Sequence, residues 1–142
     1  MENHKRLIGR LFDEVWNGRR LEVIDELYAP EYVADYRPYA PLQEGAHVVA
    51  EMVERAFATF PDYHEELLAV VVEGDSAAVH LRITGTQHGA WGPLPPTGLR
   101  VEFEEVIMLT FGPDGRVVHQ RGIVDNLAAL RQLGVMPTPR QA

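Results

Sequence analysis

There is no cysteine among the 142 residues of the chain. Disulfides, thiolate nucleophiles and sulfur-ligated metals are thereby excluded, although the absence does not identify a compartment. No apolar run approaches the roughly 20 residues a membrane span needs, and the charged start MENHKR lacks the apolar segment of a signal peptide, so a cytoplasmic location is expected. Positive charge is scarce as well: 13 Lys and Arg stand against 21 Asp and Glu, for a formal net charge of −8, and the basic residues form no stripe. Such a chain repels phosphate backbones, so neither nucleic acid nor a membrane is an expected partner. GxSxG, a phosphate-binding glycine loop and a dinucleotide fingerprint are missing too, which removes serine hydrolase, NTPase and Rossmann readings. The six histidines contain no helical i, i+4 pair, and no metal is expected; His88 and His119 would be the first contributors to one.

What is present suffices for a core. Hydrophobic residues make up 46% of the chain, there is no internal repeat, and one domain over residues 1–142 is expected, with about 135–142 as a flexible tail. Leu7, Ile8, Leu11, Phe12, Val15 and Trp16 recur at helical spacing, and Asn17-Gly18 supplies a stop. Leu21, Ile24, Leu27 and Tyr28 predict a second, short helix before Pro30, and Val48, Met52, Val53, Ala56 and Phe57 a third, ended near Phe60-Pro61-Asp62. From Tyr63 onward β-branched residues alternate or run together in four segments, separated by turn signals at Glu73–Asp75 and Gly112–Gly115. Helices first and antiparallel strands afterwards define an α+β domain whose helices cover one face of a curved sheet.

The last hairpin allows a finer expectation. A PDG turn with a glycine bulge sets Gly112 opposite Arg116, hence Glu105 opposite Ile123 and Phe103 opposite Asp125. Phe103, Glu105, Ile107, Leu109 and Phe111 then share a face with Val117, His119, Arg121, Ile123 and Asp125, while Gln120 and Val124 point the other way. Glu105, His119, Arg121 and Asp125 are the polar residues on that otherwise apolar face. Charges there need either mutual pairing or a pocket; a Glu105–Arg121 pair that leaves Asp125 free is one arrangement, an all-structural network the other. For Asp125 two roles stay open. It precedes a short helix, NLAALRQLG, that it could cap, but Asn126 caps equally well, and a strand-end carboxylate facing a cavity has the makings of a base. Trp16, Tyr32, Tyr36, Tyr39 and Trp91 could line a cavity for a flat apolar ligand, and the segment HGAWGPLPPTG could close over it with Trp91 as a plug. The prolines of APEYVADYRPYAP predict an ordered loop for Tyr32, Asp35 and Tyr36.

Four segments, LFDEVWNGRRLEVIDELYAPEYV, AFATFPDYH, GTQHGAWGPLPPTGLRVEF and GPDGRVVHQRGIVDNLAALRQLG, resemble in order and spacing the SnoaL-like polyketide cyclases of the nuclear-transport-factor-two-like superfamily. The resemblance implies a cystatin-like cone in which a bent antiparallel sheet wraps three N-terminal helices around an apolar pocket, with dimerisation through the outer sheet face. It also implies that Asp125 is the general acid/base of a cofactor-free ring closure. Gln120, Arg121 and Val124 depart from residues common in relatives, and Arg121 could bind an anionic or keto group or could lower the pKa of Asp125 and weaken it as a base. Together these features predict a cyclase or isomerase acting on a small apolar, carbonyl-containing metabolite, without cofactor or metal. Asp125 is its expected catalytic residue, and Trp16, Tyr32, Asp35, Tyr36, Gln87, Trp91, Glu105, His119 and Arg121 surround the ligand. Water addition in the same pocket, as in epoxide hydrolases, and a non-catalytic binding protein are the rival expectations.

Overall fold

The computed structural model describes residues 2–137, so residues 138–142 of the expected tail lie outside the described residues. The apolar stripe of the first segment forms helix α1 (Glu2–Arg10), which continues through π-helical turns at Leu11–Trp16. The Asn17 amide reaches back five residues to the Phe12 carbonyl at 2.8 Å, the widened spacing that defines a π turn. Asn17 then ties this end of the helix to the sheet: its side-chain amide donates to the Glu65 carbonyl and its side-chain oxygen accepts the Glu65 amide, both at 2.8 Å. A short 3-10 turn leads into α2 (Ile24–Leu27), and α3 (His47–Thr59) follows later, as its periodicity predicts.

The sheet has six strands: β1 (Tyr28–Asp35), β2 (Gln43–Glu44), β3 (His64–Glu73), β4 (Ser76–Thr86), β5 (Arg100–Phe111) and β6 (Val117–Val124). Their spatial order is β2-β1-β6-β5-β4-β3. The four strands expected from the alternating segments are present, but the sheet is mixed rather than antiparallel, because β1 runs parallel to β6. β1 replaces part of the expected proline loop. Its pairing shifts between Tyr28 and Val33, across Pro30, which lacks an amide for the ladder, and this irregularity hides its alternation in the sequence. The inner face of the bent sheet, α1, α2 and α3 enclose one core that includes Leu11, Phe12, Val49, Val53, Val79, Leu81 and Leu109. The result is an α+β cone, closed at the end by α4 (Asn126–Gln132). No helix among the described residues is long and apolar enough to cross a membrane.

The last hairpin overturns half of its predicted register. The turn is as expected: Gly115 has φ +86° and the Gly112 amide bonds the Arg116 carbonyl at 2.8 Å. Phe111 still faces Val117, but Thr110 faces His119, so Val118 is an extra residue in the ladder. One bulged residue exchanges the two faces of everything beyond it. Glu105 therefore pairs with Val124, not Ile123, and Met108 with Arg121. Gln120, Gly122 and Val124 turn inward, and His119, Arg121 and Ile123 turn outward. The expected inward placement of His119, Arg121 and Asp125 is corrected accordingly.

Candidate active site

The cone holds two neighbouring spaces that share part of their lining. The larger, about 510 Å³, is bounded by Met52, Ala56 and Thr59 of α3, by Tyr36, Tyr39 and Trp91 from loops, and by Phe103, Glu105 and Val124 of the sheet. Its volume is in the range of small-molecule sites. Deeper, against the π-helical turn, a chamber of about 40 Å³ is lined by Phe12, Trp16, Tyr28, Tyr36, Tyr63, Glu65, Glu105 and Gln120. Trp16, Tyr36, Tyr63 and Glu105 border both spaces.

Glu105 is the acidic residue on the wall of the large cavity. Its partner Leu81 and its neighbours Phe103 and Ile107 are apolar and buried, so its carboxyl stands in a low-dielectric wall. Desolvation pushes its pKa up to about 7, while a 2.8 Å hydrogen bond donated by the Tyr36 hydroxyl favours the charged form and partly opposes that rise. Gln120 donates to the same Tyr36 oxygen at 2.6 Å, which fixes the phenol and leaves its proton for Glu105. Burial, first, and the nearby Glu105 charge raise the Tyr36 pKa well above its ordinary value, so the phenol stays a donor. Glu65 is the second buried carboxyl. Burial and then the Glu105 charge raise it to about 8, against a hydrogen bond from Tyr63 that lowers it.

Tyr36 keeps its place because Gly122 has no side chain. A Cβ there would lie 2.0 Å from Tyr36 Cε1. Gly122→Ala is expected to cost about 1–3 kcal/mol, the usual range for overpacking, and to break the Tyr36–Glu105 hydrogen bond; urea unfolding of the variant measures the first effect.

Of the residues singled out from sequence, Trp16, Tyr36, Tyr39, Trp91 and Glu105 meet around the cavity. Trp91 is packed on Phe103, with ring centroids 6.3 Å apart, and edge-on to Phe60 at 5.7 Å. The others are elsewhere. Tyr32 is fully buried against Tyr28 and does not border the cavity. Asp35 is held by Arg37 through bonds of 2.9 and 3.0 Å, and that guanidinium keeps its carboxyl well below the usual range. Gln87 is fully buried but bonds Thr97 and Pro95 across the base of the 88–98 loop, not a ligand space. That loop is also pinned to α3, since the Gly89 amide donates to the Thr59 carbonyl at 3.0 Å and the Thr59 hydroxyl to the Ala90 carbonyl at 3.0 Å. Arg121 lies in a separate surface cleft of about 210 Å³ beside Arg37, donating to the Asp35 carbonyl at 3.2 Å, so it forms no pair with Glu105.

Asp125 is exposed and serves as the N-cap of α4, its carboxylate accepting the Ala128 amide at 3.1 Å. The capping role, one of its two open readings, is the one the geometry displays; Asn126, not Asp125, reaches the cavity wall. Glu65 and Tyr63 escape sequence reading, and Gln120 enters it only as a departure from relatives on the opposite face of the sheet. Tyr63 and Glu65 alternate inward ahead of the apolar run of β3, a signal visible in FPDYHEELLAVVV. Among the described residues no cluster of three or more histidine or carboxylate residues could hold a metal ion.

The chain is thus a small α+β cone with an apolar cavity, a desolvated carboxyl in its wall and a phenol hydrogen-bonded to that carboxyl. The chain belongs to the SnoaL-like polyketide cyclase family, whose model matches residues 6–133. Among solved structures it is similar to a candidate SnoaL-like polyketide cyclase from Jannaschia sp. CCS1, with TM-score 0.85 and 28% identity over 96% of this chain and 94% of that one. AclR, a candidate hydroxylase from Streptomyces galilaeus, aligns with TM-score 0.85 and 26% identity over 99% of this chain and 87% of its own. IdmH, a candidate polyketide cyclase from Streptomyces antibioticus, aligns with TM-score 0.81 and 27% identity over 93% and 99%. No curated protein matches the chain in sequence.

Proposed function

We propose that the protein is a cofactor-free cyclase or isomerase that binds an apolar, carbonyl-bearing metabolite in the 510 Å³ cavity and uses Glu105 as its acid/base. The observation that carries this reading is Glu105 itself: a buried carboxyl on the cavity wall, raised toward neutrality and oriented by Tyr36. A base poised near the working pH is the efficient one for proton abstraction, and family membership together with the cyclase-named neighbours agrees with that chemistry. In the proposed reaction the Glu105 carboxylate takes a proton from carbon next to a carbonyl. The enolate carbon attacks a second carbonyl of the same molecule, a carbon–carbon bond forms, and the resulting alkoxide takes the proton back. Trp16, Phe60, Phe103 and Trp91 offer aromatic surface on which a flat substrate packs.

The test is exchange of the acidic carbon-bound proton of a bicyclic aromatic 1,3-dicarbonyl in heavy water, followed by NMR. Wild-type protein is expected to accelerate exchange, Glu105→Gln to lose the acceleration, and Asp125→Asn to retain it. Binding without exchange by the wild type would leave a binding protein.

The same reading includes a second copy of the chain on the outer sheet face. Ile123 faces Val106 and Arg121 faces Met108 across β5 and β6, and Ala78 links Met108 to Val71. Val71, Val106, Met108 and Ile123 are exposed there at 65, 42, 53 and 66%, an apolar band suited to a self-complementary contact. Met108→Glu is expected to turn a dimer into a monomer in sedimentation; a monomeric wild type would remove the dimer.

A further inference from the structure

We propose that Glu65 is the proton-holding partner of Glu105, the two carboxyls sharing protons across the small inner chamber so that one is a carboxylate while the other stays an acid. This rests on the reading of Glu105 as the acid/base and names the residue that sets its protonation. Glu65 sits opposite Ile83, and Glu105 opposite Leu81, so the two lie on the same inner face at the two flanks of β4. Both are buried, and both line the 40 Å³ chamber. Glu105 also opens on the large cavity, whereas Glu65 opens on the chamber alone. Glu65 is therefore a positioning residue that acts through its neighbour and does not touch the ligand.

The surroundings enforce one shared charge. From β1 and the residue after it the chamber is faced by the Tyr28 and Tyr36 phenols, from the turn before β3 by Tyr63, from the π-helical turn by the Trp16 indole, from β6 by Gln120, and from β4 by apolar Leu81. Among the described residues no Lys, Arg or His lines it, and the one cation lining the large cavity onto which Glu105 also opens is Arg55 of α3. Two carboxylates in a desolvated space with no cation repel one another, and the second proton leaves only at higher pH than the first. Tyr63 donates to one oxygen of Glu65 and Tyr36 to one oxygen of Glu105, while the second oxygen of each has no hydrogen-bond partner among the described residues. The chamber exceeds the roughly 10–15 Å³ that a water needs, so it has room for a water between its polar walls. Glu105, which also opens on the large cavity, is the less desolvated of the two and so the carboxylate of the pair, and Glu65, enclosed on the chamber alone, is the acid. During turnover Glu105 gains the carbon-bound proton, the chamber holds two protons on two carboxyls, and the alkoxide takes one back, which restores the starting count.

The experiment is a ligand-free titration of protein labelled with carbon-13 at the glutamate carboxyls, in the wild type and in Glu105→Gln, Glu65→Gln and Glu65→Asp variants whose folding is checked by circular dichroism. Two carboxyls are expected to titrate well above the ordinary glutamate range. Glu105→Gln is expected to lower the Glu65 midpoint by about a pH unit or more, the size that marks coupled sites. In the exchange assay, the alkaline limb of the pH profile should vanish in Glu65→Gln, remain in Glu65→Asp, and leave the acid limb unmoved. An unchanged Glu65 midpoint in Glu105→Gln, or a wild-type Glu65 that titrates in the ordinary glutamate range, overturns the pairing. Since the titration uses no ligand, loss of the pairing and loss of the catalytic reading are separate results.

Discussion

Unfolding free energy is expected to fall by several kcal/mol as pH rises from 5 to 9. The folded values of Glu105 and Glu65 are raised to about 7 and about 8, above the 4.5 of an unperturbed glutamate. Between those limits the native chain binds more protons than the unfolded chain, and stability declines as pH increases. The contribution is fully present below about 4.5 and is lost as pH climbs through the two folded values. Each pH unit between the folded and unfolded midpoints of a group is worth roughly 1.4 kcal/mol, so the pair carries on the order of several kcal/mol, a large part of the roughly 5–15 kcal/mol that usually holds a domain together. Asp35 has the opposite sign, because Arg37 lowers it; its contribution is lost only in acid, below the range compared. Urea unfolding at pH 5, 7 and 9 measures the slope, and the double variant Glu65→Gln, Glu105→Gln should flatten it and be the more stable protein at pH 9. A slope that rises with pH, or one the double variant leaves unchanged, would mean that the carboxyls are hydrated.

Glu105→Gln is expected to lower turnover by a factor on the order of 10²–10⁴, the usual contribution of general acid/base catalysis, while ligand affinity and folding are retained. The amide keeps the volume of the side chain and can still accept from the Tyr36 hydroxyl, which now lies 2.8 Å from the carboxylate, but it cannot take a proton. Loss of turnover with unchanged binding separates a chemical role from a packing role. Asp125→Asn should lie near the wild type, because asparagine caps a helix as well as aspartate does and Asp125 is absent from the cavity wall.

The first and third helices, the four long strands and the α+β class are legible in the sequence because they rest on long periodic stretches, as in Leu7–Trp16 and Ser76–Thr86, and the short α2 and α4 are marked by the proline and glycine that follow them. β1 is not, since Pro30 interrupts its alternation and its parallel partner β6 lies far along the chain, a pairing no local pattern encodes. The site is legible in composition and only half so in geometry. Glu105 stands out as a charge within an apolar alternation, and its face follows from its own strand. Faces on β6 depended on a register carried across the hairpin, and the single extra residue Val118 reversed them. His119, Arg121 and Asp125 were drawn inward by that slip, while Gln120, which orients Tyr36, was turned out. Bulges have weak sequence signatures because they are selected by the curvature of the sheet around the core.

The most direct measurement is a solved structure of the protein with the bicyclic aromatic 1,3-dicarbonyl bound. The acidic carbon is expected within about 3–3.5 Å of a Glu105 carboxyl oxygen, the separation of a near-attack arrangement, with the ring system between Trp91 and α3. A ligand seated in the Arg121 cleft, or an acidic carbon set against Asp125 with Glu105 out of reach, would contradict it.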